Sequence, residues 1–191
     1  MRITISIYFL LLLFAGCRES ISLPKPRAYP RVEYPEKKYI TYDTAGCPFT
    51  FEYPSYAKVG YKEQDCWFDL FVDDFQARIH CSYLPIENQE DFDDLVKDAY
   101  VIADRINARA NYMEDSRMQN NHGVNGVIME WSGPAASNMH FFLTDTTHHF
   151  FKGALYFNAK VQPDSLAPIA EFIKDDIKYM ISSFRWKSNK E

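Results

Sequence analysis

The sequence predicts an α+β domain in which an antiparallel β-sheet is packed by two main α-helices. Apolar and polar residues alternate with a period of two in several short segments, which is typical of strands. In two longer segments, 88–109 and 163–183, apolar residues recur every three or four positions, which is typical of amphipathic helices. The 15 Phe, 13 Tyr and 3 Trp also favour a sheet-rich core.

The first residues have the features of a bacterial lipoprotein signal peptide. Arg2 precedes an apolar run over residues 3–14, which is too short for a spanning helix of about 20 residues. Ala15-Gly16-Cys17 follows and looks like a lipobox, in which the Cys after the cleavage site receives acyl chains. We therefore predict that residues 1–16 are removed and that Cys17 is the lipidated N-terminus. The alternative is a plain secretory signal that happens to contain Cys17.

A proline-rich segment separates Cys17 from the predicted domain. Its composition favours an extended chain over a packed helix, and its prolines are Pro24, Pro26, Pro30 and Pro35. We assign residues 17–46 to the acylated Cys and its tether, and residues 47–191 to a single globular domain. Four tyrosines in the segment, at positions 29, 34, 39 and 42, indicate that part of it can lie on the domain.

The domain is predicted to begin with three strands. Residues 49–53 alternate between aromatic and polar side chains until Pro54 ends the run. Residues 67–72 and 77–83 form a hairpin around Asp73-Asp74, because both runs alternate and the acidic pair supplies a turn.

A helix, a strand, a second hairpin and a second helix complete the predicted order. Asn88 is a candidate N-cap for the first helix. A strand over residues 127–131 leads to the hairpin of 139–143 and 151–157, which turns at residues 144–147. Pro163 opens the last helix, which ends near Ser183.

Three cysteines remain after the lipidation site, and an envelope location permits disulfides. We favour a bond between Cys47 and Cys66, each of which lies at the start of a strand-like run. The alternative is two free buried thiols. Cys81 alternates with apolar residues and is predicted to be a buried free thiol on a strand.

Charge and motifs limit the possible functions. The 21 basic residues include Arg2, so cleavage changes the net charge from −5 to −6, and no general attraction for nucleic acid is expected. The sequence contains no nucleophile elbow, zinc-protease motif, P-loop or dinucleotide fingerprint. We therefore predict a protein that is not an enzyme and that has no cofactor.

Histidines and acidic pairs are the remaining candidates for chemistry, and each has a simpler explanation. Ser137 and His140 lie three residues apart in one predicted strand, so they face opposite sides. His148 and His149 are adjacent and have no further ligand at metal spacing. The acidic pairs at 73–74, 93–94 and 175–176 lack the alternation of a calcium loop. No metal site is predicted.

A loop rich in small residues is the candidate contact surface. Gly133, Ala135, Ala136 and Ser137 lie between two apolar strands, where small side chains let another backbone approach closely. We interpret them as a partner-docking loop. The alternative is a tight connection between strands that needs little side-chain volume.

The sequence resembles one known fold and one known protein family. The Phe-rich opening strand that ends at Tyr53-Pro54, the central antiparallel sheet and the last helix that runs into 183–186 resemble the PsbP/Mog1-like sandwich fold. Several segments along the chain resemble the gliding motility lipoprotein GldD family. They are 23–26, 31–35, 47–51, 66–67, 135–137, 144–150 and 153–157. Pro134, His148 and Cys81 depart from the family pattern, which argues against essential roles for them.

The family resemblance implies a process rather than a reaction. It implies a lipoprotein of the cell envelope that is needed for gliding motility and associated with the type IX secretion system. We expect a periplasmic domain that acts as a non-catalytic assembly or interaction module. Its expected partners are the membrane, through the lipid, and envelope proteins of gliding and type IX secretion. The alternative is a periplasmic domain that binds a small ligand or lipid between its sheet and helices.

Overall fold

Ten strands and two α-helices are present in the residues that the computed structural model describes, which are 31–133, 137–158 and 163–187. The elements are β1 (Tyr39–Tyr42), β2 (Phe49–Pro54), β3 (Lys58–Tyr61), β4 (Phe68–Val72), β5 (Ala77–Pro85), α1 (Gln89–Asn107), β6 (Tyr112–Gln119), β7 (Asn125–Ser132), β8 (Met139–Thr144), β9 (His149–Phe157), α2 (Pro163–Ser183) and β10 (Arg185–Trp186). Neither helix combines the length and the apolarity that crossing a membrane would need.

All strand pairs are antiparallel and belong to two sheets. The larger sheet has seven strands in the order β3-β4-β5-β9-β8-β7-β6, and the smaller has three in the order β1-β2-β10. The predicted hairpins β4–β5 and β8–β9 are present, and β9 also pairs with β5, so these hairpins meet at the centre of the larger sheet. The predicted α+β class is therefore confirmed.

The larger sheet separates two hydrophobic cores. Because strand side chains alternate between faces, Phe150 packs in the smaller core under α1, and Phe151 packs in the main core on the opposite face. The main core includes side chains of the small sheet and of α2. The molecule thus has three layers, with α1 on one side of the large sheet and the small sheet with α2 on the other.

Aromatic rings fill the junction between the two sheets and α2. Phe49 and Phe51 of β2 are fully buried, as are Phe68, Phe151 and Phe184. The ring centroids of Phe49 and Phe151 lie 4.9 Å apart, and those of Phe151 and Phe184 lie 5.1 Å apart. Burying one such side chain contributes about 2–3 kcal/mol to the stability of the fold.

The capping prediction for the first helix is also confirmed. Asn88 precedes α1 in extended geometry, and its side-chain oxygen accepts a hydrogen bond from the backbone N–H of Asp91. This bond satisfies a donor that the first helical turn would otherwise leave free. The helix begins one residue later, at Gln89.

Residues 31–46 lie on the globular unit, although the sequence analysis assigned them to the tether. The compact unit begins at Arg31, and β1 pairs with β2 along its length. Tyr42 is buried, with its ring centroid 4.6 Å from that of Phe68. The predicted boundary at residue 47 is therefore too late, because backbone pairing and aromatic burial outweigh the proline content of this segment.

A buried carboxylate holds this N-terminal segment against α2. Asp176, which is 1% exposed, accepts hydrogen bonds from the hydroxyls of Tyr39, at 2.8 Å, and Tyr56. The ammonium of Lys37 lies 3.2 Å from the same carboxylate. Burial, and after it the hydrogen bond to Asp176, raises the pKa of both tyrosines well above its usual range. Asp176 thus ties three parts of the chain together.

A disulfide joins the start of β2 to the loop before β4. Cys47 and Cys66 are bonded, with their Cα atoms 5.6 Å apart and a sequence separation of 19. Closing a loop of this length contributes about 3 kcal/mol in the chain-entropy treatment. Cys81 is a free thiol buried in the main core, where burial raises its pKa well above the usual range.

Removal of the Asp176 carboxylate is expected to destabilise the fold. In Asp176→Ala, two tyrosine hydroxyls and one ammonium lose a buried acceptor, so the free energy of unfolding should fall by about 3 kcal/mol in urea denaturation. Asp175→Ala is the matched control, because the neighbouring Asp175 side chain is 70% exposed and 3.7 Å from Lys37. Its effect should stay below about 0.5 kcal/mol. Equal effects of the two substitutions would contradict this role of Asp176.

Candidate functional site

A cavity of about 200 Å³ lies between the larger sheet and α1. Ala99 and Ile102 of α1 line one side of it, and residues of β5, β7, β8 and β9 line the other. These sheet residues are His80, Ser82, Met129, His140, Phe141, Phe142, Lys152, Gly153, Ala154 and Tyr156. Most of the exposed lining is apolar, but five of the sheet side chains carry polar groups. The cavity is therefore an apolar space with a small number of polar groups, as in many ligand sites.

The floor of the cavity follows from strand register. Ala154 of β9 pairs with His80 of β5 on one side and with His140 of β8 on the other. A methyl group thus lies between two imidazoles in the middle of the sheet. Since same-face neighbours on adjacent strands are only about 5 Å apart, the short side chain of Ala154 leaves the space that the cavity occupies.

A buried carboxylate lies behind His80. Asp69 of β4 accepts hydrogen bonds from Nδ1 of His80, at 2.6 Å, and from Arg78, while the ammonium of Lys62 lies 3.0 Å away. Burial alone would raise the pKa of Asp69, but the hydrogen bonds from Arg78, Lys62 and His80 outweigh it and keep this pKa below its ordinary value. The Asp69 carboxylate therefore already has three basic partners, namely Lys62, Arg78 and His80.

His140 is the most perturbed base of the site. Burial is the main cause that lowers its pKa from 6.5 to about 4, and the charge of Lys152 acts in the same direction. Its ring packs edge-on against Trp131 of β7, with centroids 5.1 Å apart, and lies 5.8 Å from the ring centroid of Tyr156 of β9. Nε2 is buried and has no hydrogen-bond partner among the described residues. His140 is therefore neutral at pH 7.

The predicted docking loop is only partly described. Gly133 has a φ of +89°, and a Cβ there would collide with the side chain of Asn111, so glycine is required on both grounds. Ser137 is buried, and its hydroxyl donates to the backbone carbonyl of Leu155. Ser137 therefore has the role of the alternative interpretation, a tight connection between strands. Ala135 and Ala136 lie outside the described residues.

The other candidates form no reactive group. Because the Ser137 hydroxyl bonds to a carbonyl, it does not contact His140 as a nucleophile would contact its base. His149 bonds through Nδ1 to the hydroxyl of Tyr83, at 2.8 Å, and stacks on Trp186, whereas His148 bonds to the hydroxyl of Thr147. Among the described residues, no group of three or more His, Cys, Asp or Glu side chains could bind a metal ion.

The comparison with protein families identifies the chain's relatives. The family model described as gliding motility lipoprotein GldD matches residues 19–186. The chain belongs to this family. Membership of the gliding motility lipoprotein GldD family implies membrane anchoring and a role in gliding motility, and the predicted resemblance is confirmed. None of the curated proteins compared with the chain matches it.

Solved structures give the fold. Cyanobacterial PsbP (CyanoP) from Synechocystis sp. PCC 6803 matches with a TM-score of 0.50 and 8% sequence identity, over 90% of this chain and 98% of that chain. The Ran-binding protein Mog1p from Saccharomyces cerevisiae matches with a TM-score of 0.49 and 8% identity, over 79% of this chain and 96% of that chain. At this identity, the similarity to CyanoP shows the fold alone, which agrees with the predicted PsbP/Mog1-like sandwich.

The cavity residues were not predicted as a group from the sequence. His80, Lys152 and Tyr156 were not singled out, and His140 was considered only as a base for Ser137. One signal was present in the sequence, because these side chains occupy the alternate positions of strands whose other face is apolar, which marks a partly polar sheet face. Their convergence depends on β9 lying between β5 and β8, which this alternation does not reveal.

The low pKa of His140 leads to a prediction about stability and pH. The His140 imidazole has a pKa of 6.5 in the unfolded chain and of about 4 in the folded protein. Its contribution to the free energy of unfolding is therefore complete above pH 6.5 and is lost as the pH falls toward 4. Between these values the wild-type protein should lose about 3 kcal/mol of unfolding free energy through this group. His140→Gln should show a correspondingly shallower decline in urea denaturation.

His148→Gln is the control for this experiment, because the side chain of His148 is exposed, and this variant should keep the wild-type pH dependence. Burial also lowers the pKa of His149. For Asp145, burial would raise the pKa, but hydrogen bonds from backbone N–H groups outweigh it and lower this pKa. Both variants retain these two groups. An unchanged slope in His140→Gln would show that His140 is not buried in its neutral form.

Proposed function

We propose that the chain is an envelope lipoprotein that is anchored through acylated Cys17 and serves gliding motility and type IX protein secretion as a non-catalytic assembly or interaction module. The observation that carries this proposal is the match of the GldD family over residues 19–186. The bonding of Ser137 to a carbonyl supports a role without catalysis, because it removes the one nucleophile–base pair that the sequence suggested.

The proposed anchor is the acylated Cys17. It lies outside the described residues, so its support is the sequence Ala15-Gly16-Cys17 after an apolar run, together with membership of a lipoprotein family. One acyl chain gives only marginal membrane binding, whereas two or more give stable attachment. Position at the membrane is then set by the lipid, and the domain is exposed to the periplasm.

The proposed tether is shorter than the sequence analysis assigned. The compact unit starts at Arg31, which leaves residues 18–30 between the anchor and the domain. A flexible chain of this length spans about 20 Å on average, and a fully extended polyproline-like one spans about 40 Å. Partners are therefore expected close to the membrane surface.

The proposed docking surface is the loop with Gly133, Ala135 and Ala136, together with the adjoining edge strand. Tyr112 of β6 pairs with Ser132, next to the loop, and its side chain is 61% exposed. The outer edge of β6 pairs with no other strand in the described chain. Tyrosine is one of the residues enriched in the energetic hot spots of protein interfaces. Ser137 is not part of this surface, because it is buried.

Loss of the lipidation site tests the anchor. Cys17→Ala should move the protein from the membrane to the soluble fraction and reduce cell spreading on a surface, because the domain loses its position. The thermal unfolding temperature should remain that of the wild type, since the folded unit starts at Arg31.

Ser20→Ala is the matched control, as it changes a residue of the same segment without touching the anchor, and it should behave as the wild type. A Cys17→Ala protein that still sediments with membranes and supports normal spreading would refute the anchor.

Site-specific crosslinking in living cells tests the docking surface. A photoreactive phenylalanine derivative at position 112 should capture an envelope protein of gliding or type IX secretion. The same derivative at position 61 is the control, because Tyr61 is 67% exposed but lies on β3, at the opposite edge of the sheet. Equal capture from both positions, or no capture from position 112, would contradict the proposed surface.

A further inference from the structure

The cavity under α1 exists because small residues meet there. Ala154 forms the floor between His80 and His140, and Ala99 lines the side formed by α1. Protein interiors are close-packed, and voids larger than a water molecule are few. A space of about 200 Å³ between a helix and a sheet is therefore large enough to serve as a binding site.

The volume of the cavity limits the size of its occupant. An apolar cavity of about 150 Å³ is sufficient for benzene, whereas sites for drug-sized ligands have about 300–1,000 Å³. About 200 Å³ thus accommodates one ring or a short chain together with one small polar group. The cavity cannot enclose the two acyl chains of a phospholipid.

The polar lining favours an anion. None of the described residues that line the cavity is acidic, whereas Lys152 is positively charged and two histidines contribute polar ring nitrogens. Lys152 forms no ion pair with any described residue. The neighbouring carboxylate of Asp69 is already bound by Lys62, Arg78 and His80. The positive charge at the cavity is therefore not neutralised by the described chain.

His140 supplies a second polar contact beside Lys152. Its Nε2 is buried and therefore not accessible from the cavity, so an occupant would bond to the other ring nitrogen, Nδ1, which is not buried and has no hydrogen-bond partner among the described residues. Lys152 and His140 are close enough that the charge of one lowers the pKa of the other. A carboxylate could accept hydrogen bonds from both side chains, since it has two oxygens.

We propose that this cavity binds a small monocarboxylate, with an apolar body of about six to eight carbons over Ala154 and with its carboxylate between Lys152 and His140. A single carboxylate fits better than a phosphate ester, because the lining is mostly apolar and offers one lysine. The site lies on the α1 side of the large sheet, away from β1, through which the chain enters the small sheet.

Phenylacetate is the probe for this site, with the purified full-length protein and isothermal titration calorimetry. Lys152→Met should weaken phenylacetate binding about tenfold or more, because the ammonium is lost while the apolar stem is kept. Lys97→Met is the matched control, since it removes the same charge from an exposed position of α1, and its affinity should equal that of the wild type. NMR of the His140 ring should show its pKa rising from about 4 when phenylacetate binds.

Two further measurements complete the test. Ala154→Leu should abolish phenylacetate binding, because the larger side chain fills the floor of the cavity. If this variant does not fold, Ile102→Trp should abolish binding by blocking the rim, where Ile102 is 37% exposed. Phenylacetamide, which has the same shape without the charge, should bind at least about tenfold more weakly. Equal binding of phenylacetamide, equal affinity of the Lys152→Met and Lys97→Met variants, or no binding of phenylacetate at millimolar concentration would overturn the proposal.

Discussion

The burial of aromatic rings contributed by β2 is the interaction on which the rest of the structure depends. Phe49 and Phe51 extend from the small sheet into the main core and meet Phe151 of the large sheet and Phe184, which follows α2. The same strand pairs with β1 on one edge and with β10 on the other. The segments near both ends of the described chain are therefore attached through one strand whose rings are embedded in the core. The disulfide of Cys47, two residues before this strand, limits the freedom of its start.

The two faces of the large sheet are built differently, and the centre of β9 shows why. Gly153 faces the main core, where a Cβ would collide with the ring of Phe141, so glycine admits an aromatic side chain over the backbone. Ala154 faces α1, where its small side chain leaves the cavity. Adjacent small residues thus have opposite effects. One permits dense packing on its face, and the other prevents it.

The sequence predicted those parts of the fold whose burial is one-sided and regular. The periods of α1 and α2 follow directly from facing one core, and the alternation of β5 and β9 reflects one face in the main core and a partly polar face toward α1. Asn88 had recognisable capping chemistry. The edge strand β6 was missed because most of its residues are exposed, so it has no apolar alternation. β1 was missed because it lies in a proline-rich segment, and its partners at Asp176 and β2 are distant in sequence. The cavity was missed since it requires three strands to meet in a particular order.

The helices differ in how firmly they are held, and this difference bears on access to the cavity. Within α1 only Ala103 and Ile106 are buried, whereas α2 buries Ile173, Ile177 and Met180 together with Asp176. Segments with few buried apolar contacts open locally at low free-energy cost, and binding sites are often drawn from such segments. A small displacement of α1 would admit a ligand without disturbing β1, β2 or α2, because the large sheet separates the two cores. Ligand entry beside α1 would therefore leave the packing of the main core unchanged.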